Sequence, residues 1–72
     1  MYERIGKTIG ERIRYLRELH GISQVDIAKE FSLSDNSIIS KYELNKRFPP
    51  MDVVVEYSRK FGVSTDWILK GE

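Results

Sequence analysis

"GISQVDIAKEFSLSDNSIISKYELNKRFP", residues 21–49, holds two short helical patterns, a turn between them, and a basic turn that runs into proline. Ser23 can cap the first pattern, and Ile27, Ala28 and Phe31 share one face of a helix over about residues 24–31. After Ser32 and Leu33, either Ser34 or Asp35 can cap a second helix over about 35–43, with Ile38, Ile39 and Tyr42 as its apolar residues. Asn45 tolerates a left-handed turn, and the residue before each proline is pushed out of the helical region, so the pattern stops there. Two helices this short need a scaffold. Ala28 is small enough to let the second helix cross the first closely, with Ile27, Leu33 and either Ile38 or Ile39 filling the space beneath. The outer face of the second helix then carries Asp35, Asn36, Ser37, Ser40 and Lys41, most of them poor helix formers that packing must hold in place.

The scaffold is legible on both sides. Ile9, Ile13 and Leu16 recur at helical spacing with Arg12, Arg14 and Arg17 between them, Thr8 and Glu11 form a capping box, and Gly21 suits the far end. This predicts a helix over about 9–19. Pro50 suits the start of another over about 51–61, in which Met51, Val54, Val55, Ser58 and Phe61 align, and Gly62 stops it. Ser64 caps a last helix over about 65–69 containing Trp67, Ile68 and Leu69. The expected fold is all-α, five helices in a single domain over residues 1–72. Trp67 and Ile68 either close the core or contribute to a dimer contact, and Tyr2 and Ile5 are further candidates for self-contact.

Composition restricts the chemistry. With 40% hydrophobic and 32% charged residues, the chain falls in the range of folded domains rather than disordered ones. It has no cysteine, so neither disulfides nor thiolate zinc sites can supplement a core this small, which is compatible with a reducing cytoplasm. No apolar run approaches the roughly 20 residues of a membrane span, and the polar start "MYERIGKTIGER" lacks the apolar region of a secretory signal. A cytoplasmic location is expected. His20 is the only histidine and has no cysteine partner for a zinc site, while Asp26 and Glu30 sit at the spacing of solvated helix charges. No catalytic residue, metal, cofactor or small-molecule site is therefore expected. The net charge of +1 does not by itself announce a nucleic-acid partner. Residues 1–50 carry nine Lys and Arg against seven acids, and residues 51–72 carry three against four, a weak bias toward the first part.

Three segments together resemble the helix-turn-helix domain of the Cro and phage-repressor family, also called the xenobiotic-response-element family: "GISQVDIAKEF", "ISKYELNKRFP" and "FGVSTDWILKG". The likeness covers roughly residues 9–71 and implies a lambda-repressor-like fold and sequence-specific binding of double-stranded DNA. On that resemblance Asp35, Asn36, Ser37, Ser40 and Lys41 occupy the base-reading region of a helix in the major groove. Gln24, Asn45, Lys46 and Arg47 match phosphate-contacting positions, and Arg17 and Glu43 match a pair that ties the first helix to the end of the third. A regulator of this kind is expected to be a repressor that binds a palindromic operator as a homodimer. A protein-interaction module on the same fold, such as an antitoxin or anti-repressor partner, is the alternative.

The chain departs from the family pattern at two points. Ser32 stands where relatives usually have glycine, in a turn position that tends to positive φ. The stretch from Gln24 to Glu43 is also one residue longer than usual. If the extra residue lies in the turn, Ile39 is buried and Asn36, Ser37 and Lys41 face DNA. If it lies within the helix, Ile38 is buried and Asp35, Asn36 and Ser40 take their place.

Overall fold

A computed structural model describes residues 7–72. The expected self-contact of Tyr2 and Ile5 lies outside the described residues. Five helices follow in order: α1 (Ile9–Leu19), α2 (Gln24–Glu30), α3 (Ser37–Glu43), α4 (Met51–Phe61) and α5 (Thr65–Lys70). No strand occurs among the described residues. The molecule is the small, all-helical domain that the sequence predicts. α1 packs against α3 and α5, α2 against α3, and α4 against α5.

Local chemistry accounts for most of the helix ends. The Thr8 hydroxyl accepts from the Glu11 N–H at 3.2 Å while the Glu11 carboxylate accepts from the Thr8 N–H at 3.2 Å, a complete capping box. Ser23 and Ser64 cap α2 and α5 by accepting from the N–H groups of Asp26 and Trp67. α1, α2 and α3 all end in the same paired closure, in which two backbone N–H groups beyond the helix bond back to carbonyls of its last turn. After α1 these bonds are Gly21 to Glu18 and Ile22 to Arg17, both at 3.1 Å. After α2 they are Ser32 to Lys29 (3.1 Å) and Leu33 to Ala28 (2.9 Å), and after α3 Asn45 to Tyr42 (3.1 Å) and Lys46 to Lys41 (2.9 Å). The closure requires a left-handed residue, supplied by Gly21, by Ser32 at φ 58° and by Asn45 at φ 60°.

α3 begins later than the sequence suggests, and neither Ser34 nor Asp35 holds its cap position. That position belongs to Asn36, whose side chain makes no capping bond and whose backbone is already helical at φ −69°, ψ −16°. The N–H groups of Ile38 and Ile39 reach back three residues to the carbonyls of Asp35 and Asn36, so the chain enters α3 through a tighter turn. Asp35 still acts as a cap one residue upstream, since its carboxylate accepts from the Ser37 N–H at 3.0 Å. That bond is the main reason its pKa lies below the ordinary aspartate value, with a smaller contribution from the charge of Lys41.

The core draws on every helix: Ile13 and Leu16, Ile27 and Ala28, Ile39 and Tyr42, Val53, Val54 and Tyr57, then Trp67 and Ile68. Trp67 and Ile68 thus close the core. The face of α4 differs from the expected one. Val53, Val54 and Tyr57 point inward, whereas Met51 is exposed and Val55 and Ser58 are only half-buried. This rotation buries the large Tyr57 ring in place of a serine, with Phe31 edge-on to it at 4.8 Å.

Candidate nucleic-acid interface

α3 is held mainly at its C-terminal end. Glu43 is buried and receives the Arg17 guanidinium through two bonds, Nε to Oε2 at 2.6 Å and Nη2 to Oε1 at 3.0 Å. The third Arg17 nitrogen donates to the Ile22 carbonyl at 2.9 Å, so one side chain joins α1, the α1–α2 turn and α3. Its hydrogen bond with Glu43 is the main cause of an arginine pKa raised above the usual value. Two like-oriented bonds fix the angle between the helices as well as their distance.

Asn45 supplies a second lock. Its Oδ1 accepts from the Gly10 N–H at 3.0 Å and its Nδ2 donates to the Thr8 hydroxyl at 2.9 Å, tying the end of α3 to the start of α1. Gly10 makes that approach possible, because a Cβ there would fall 2.5 Å from the Glu43 carbonyl oxygen. Sequence reasoning passed over Gly10, although an interior helix glycine is a standing signal of close backbone packing. Nor does the sequence pattern single out Arg12, which it shows only as one of three arginines between the apolar positions of α1. The structure instead buries Arg12, whose Nε and Nη2 donate to the Ile68 and Leu69 carbonyls at 2.7 and 3.0 Å in the last turn of α5. Burial lowers its pKa.

With this frame fixed, Ile39 is fully buried and Ile38 only partly so, which puts the extra residue in the turn. Asn36, Ser37 and Lys41 are exposed along one side of α3, Asp35 is exposed at its entrance, and Ser40 is half-buried. Gln24, the first residue of α2, donates from Nε2 to Glu43 Oε1 at 3.0 Å, which leaves its second amide hydrogen available. Lys46 and Arg47 are exposed in the turn after α3, and their side chains form no ion pair among the described residues. Asn45, in contrast, has both polar atoms of its side chain engaged with α1. The expected pair Arg17 and Glu43 is formed. His20 bonds through Nδ1 with the Leu16 carbonyl at 2.8 Å and lies against Phe61, a packing role at the end of α1. No group of three or more His, Cys, Asp or Glu among the described residues could hold a metal ion, and no helix among them is long and apolar enough to cross a membrane.

Two short packed helices, α2 and α3, with the second locked by its final turn and presenting a polar side, define a helix-turn-helix domain of the Cro and phage-repressor type. The helix-turn-helix domain family matches residues 10–72, and the chain belongs to it. The chain is 31% identical over 62 residues to the HTH-type transcriptional regulator ImmR of Bacillus subtilis (strain 168), covering 86% of this chain and 48% of that relative. It is 34% identical over 68 residues to the repressor protein CI of Enterobacteria phage phi80, covering 90% of this chain and 27% of that protein. An SPbeta prophage-derived uncharacterized HTH-type transcriptional regulator of Bacillus subtilis (strain 168), YonR, is 36% identical over 62 residues, 86% of this chain and 56% of that relative. The chain thus spans roughly half or less of the length of these relatives.

Proposed function

We propose that this chain is the DNA-binding domain of a transcription regulator, a repressor, that sets α3 into the major groove of duplex DNA. The observation that carries the reading is the burial of Ile39, which turns Asn36, Ser37 and Lys41 outward together on a helix locked by Arg17, Glu43 and Asn45. Asn36 and Lys41 are side chains that can bond base edges, Asn to adenine and Lys to guanine. Asp35, bound to the Ser37 N–H, and the half-buried Ser40 flank them as further base-facing candidates. Gln24, Lys46 and Arg47 hold the DNA backbone on either side, and Asn45 positions that turn. One short helix reads only a few base pairs, so the protein acts as a homodimer on a palindromic operator with half-sites about 34–36 Å apart.

Selection from random duplex DNA followed by footprinting tests this reading. A two-fold symmetric site is expected, with log affinity falling against log salt at a slope of about −5 if six phosphates are neutralised by the dimer. Lys46→Ala and Arg47→Ala weaken all sequences alike, whereas Asn36→Ala changes base preference. Binding indifferent to salt would overturn the phosphate assignments. The exposed Leu44, Phe48 and Met51 around the basic turn favour a second reading, a module whose decisive contact is another protein. Recovery of one stoichiometric protein partner, with no selected DNA sequence, would favour it instead.

A further inference from the structure

A pocket of about 180 Å³ opens between α1, α2 and α3, lined by Arg14, Arg17, Gln24, Ser40, Glu43 and Leu44. Its two arginines are held differently. Arg17 has all three nitrogens bonded to Glu43 and the Ile22 carbonyl. Arg14 pairs with Glu18 one turn along α1, at 3.1 Å, with both side chains about half exposed at 55% and 52%. The single acid lining the pocket, Glu43, already accepts from Arg17 and Gln24. What the walls still offer are donors: the second amide hydrogen of Gln24, the Ser40 hydroxyl and the Arg14 guanidinium. Such a lining suits an oxyanion.

We propose that this pocket receives a phosphate of the DNA backbone, and that Glu18 is the internal anion the phosphate displaces from Arg14. The inference rests on the DNA-binding reading above and adds to it a residue, Arg14, and a regulator of that residue. An exposed pair one turn apart on a helix is among the weakest ion pairs, whereas arginine meets phosphate through two parallel bonds. The exchange therefore runs toward DNA. Glu18 also lies 3.9 Å from Arg17 Nη2, so its carboxylate stays near positive charge after Arg14 leaves it.

The test compares wild type, Arg14→Gln, Glu18→Gln and the double variant on one selected duplex across a salt series, with thermal unfolding checking that each folds. Arg14→Gln is expected to weaken binding and make the salt slope shallower by about 0.9 per subunit. Glu18→Gln is expected to tighten binding about twofold or more, from the usual size of such pairs, and to lose most of that gain when Arg14 is absent. An unchanged slope in Arg14→Gln, or an equal gain from Glu18→Gln with and without Arg14, overturns the proposal. Lys46→Ala runs alongside: a shallower slope there with none in Arg14→Gln sinks this inference alone. Absence of any duplex binding by wild type sinks the DNA reading and this inference with it. Inorganic phosphate is titrated against the Arg14 Nε–H resonance to separate the sources of the anion. A response there without a slope change on DNA assigns the pocket to free anions and overturns the duplex assignment.

Discussion

Gly10 lies inside α1, where alanine would ordinarily be favoured over glycine by about 1 kcal/mol. Here a Cβ would meet the carbonyl oxygens of Glu43 at 2.5 Å and Tyr42 at 2.6 Å, both backbone atoms that can move only if α3 moves. Gly10→Ala is therefore expected to destabilise the domain by about 1 to 3 kcal/mol, the usual range for overpacking, read as a lower urea midpoint. Ser32 gives the opposite sign. It occupies the left-handed position after α2 at φ 58°, and its side chain makes no hydrogen bond among the described residues that would offset the strain. Ser32→Gly should raise stability by about 1 kcal/mol, seen as a higher melting temperature, and a loss would refute the strain argument. The strain at Ser32 was legible through the family resemblance, because relatives usually have glycine at that turn position. Gly10 was not read, because what it touches lies on another helix and no local pattern names that neighbour.

At the level of elements, the starts and stops of α1, α2, α4 and α5 were nearly all readable, since hydroxyl caps, glycines and prolines act through bonds spanning a few residues. Faces were harder. Three consecutive valines in α4 define no single stripe, and the choice fell to Tyr57, whose partner Phe31 closes the end of α2. In α3 the adjacent Ile38 and Ile39 left two rotations about 100° apart, and only packing on α1 and α2 selects one. The register has a direct check. Ile39→Ala should cost about 2 to 5 kcal/mol, the range for a buried isoleucine, and Ile38→Ala less than half as much, both measured by denaturant unfolding. Equal costs would mean that α3 is rotated from the position described, and the set of outward side chains would change with it.

Across the whole molecule, Arg17 and Gln24 both bond the buried Glu43 behind α3, whereas the buried Tyr57 hydroxyl has no partner among the described residues. Burial, and secondarily the charge of Glu43, pushes the Tyr57 pKa far above the usual tyrosine value. The raised folded-state value means no effect on stability while tyrosine stays protonated in both states. As pH rises past about 10 the unfolded chain releases that proton and the folded one retains it, so stability falls. Tyr57→Phe should leave stability at pH 7 equal or higher, since no bond is lost, and shift alkaline unfolding to higher pH. An unchanged alkaline midpoint would contradict the buried hydroxyl. The candidate interface was partly readable: the polar side chains of α3 and the Arg17–Glu43 pair come from the sequence and its resemblance, whereas the double engagement of Asn45 and the burial of Arg12 depend on groups distant in the chain. Because α3 is fastened through Tyr42, Glu43 and Asn45, the exposed Asn36 and Ser37 at its entrance hang from a fixed end like a blade from its handle. Changes there can alter what the blade touches while leaving the attachment intact, so sequences differing at those positions can diverge in recognition at nearly constant folding stability.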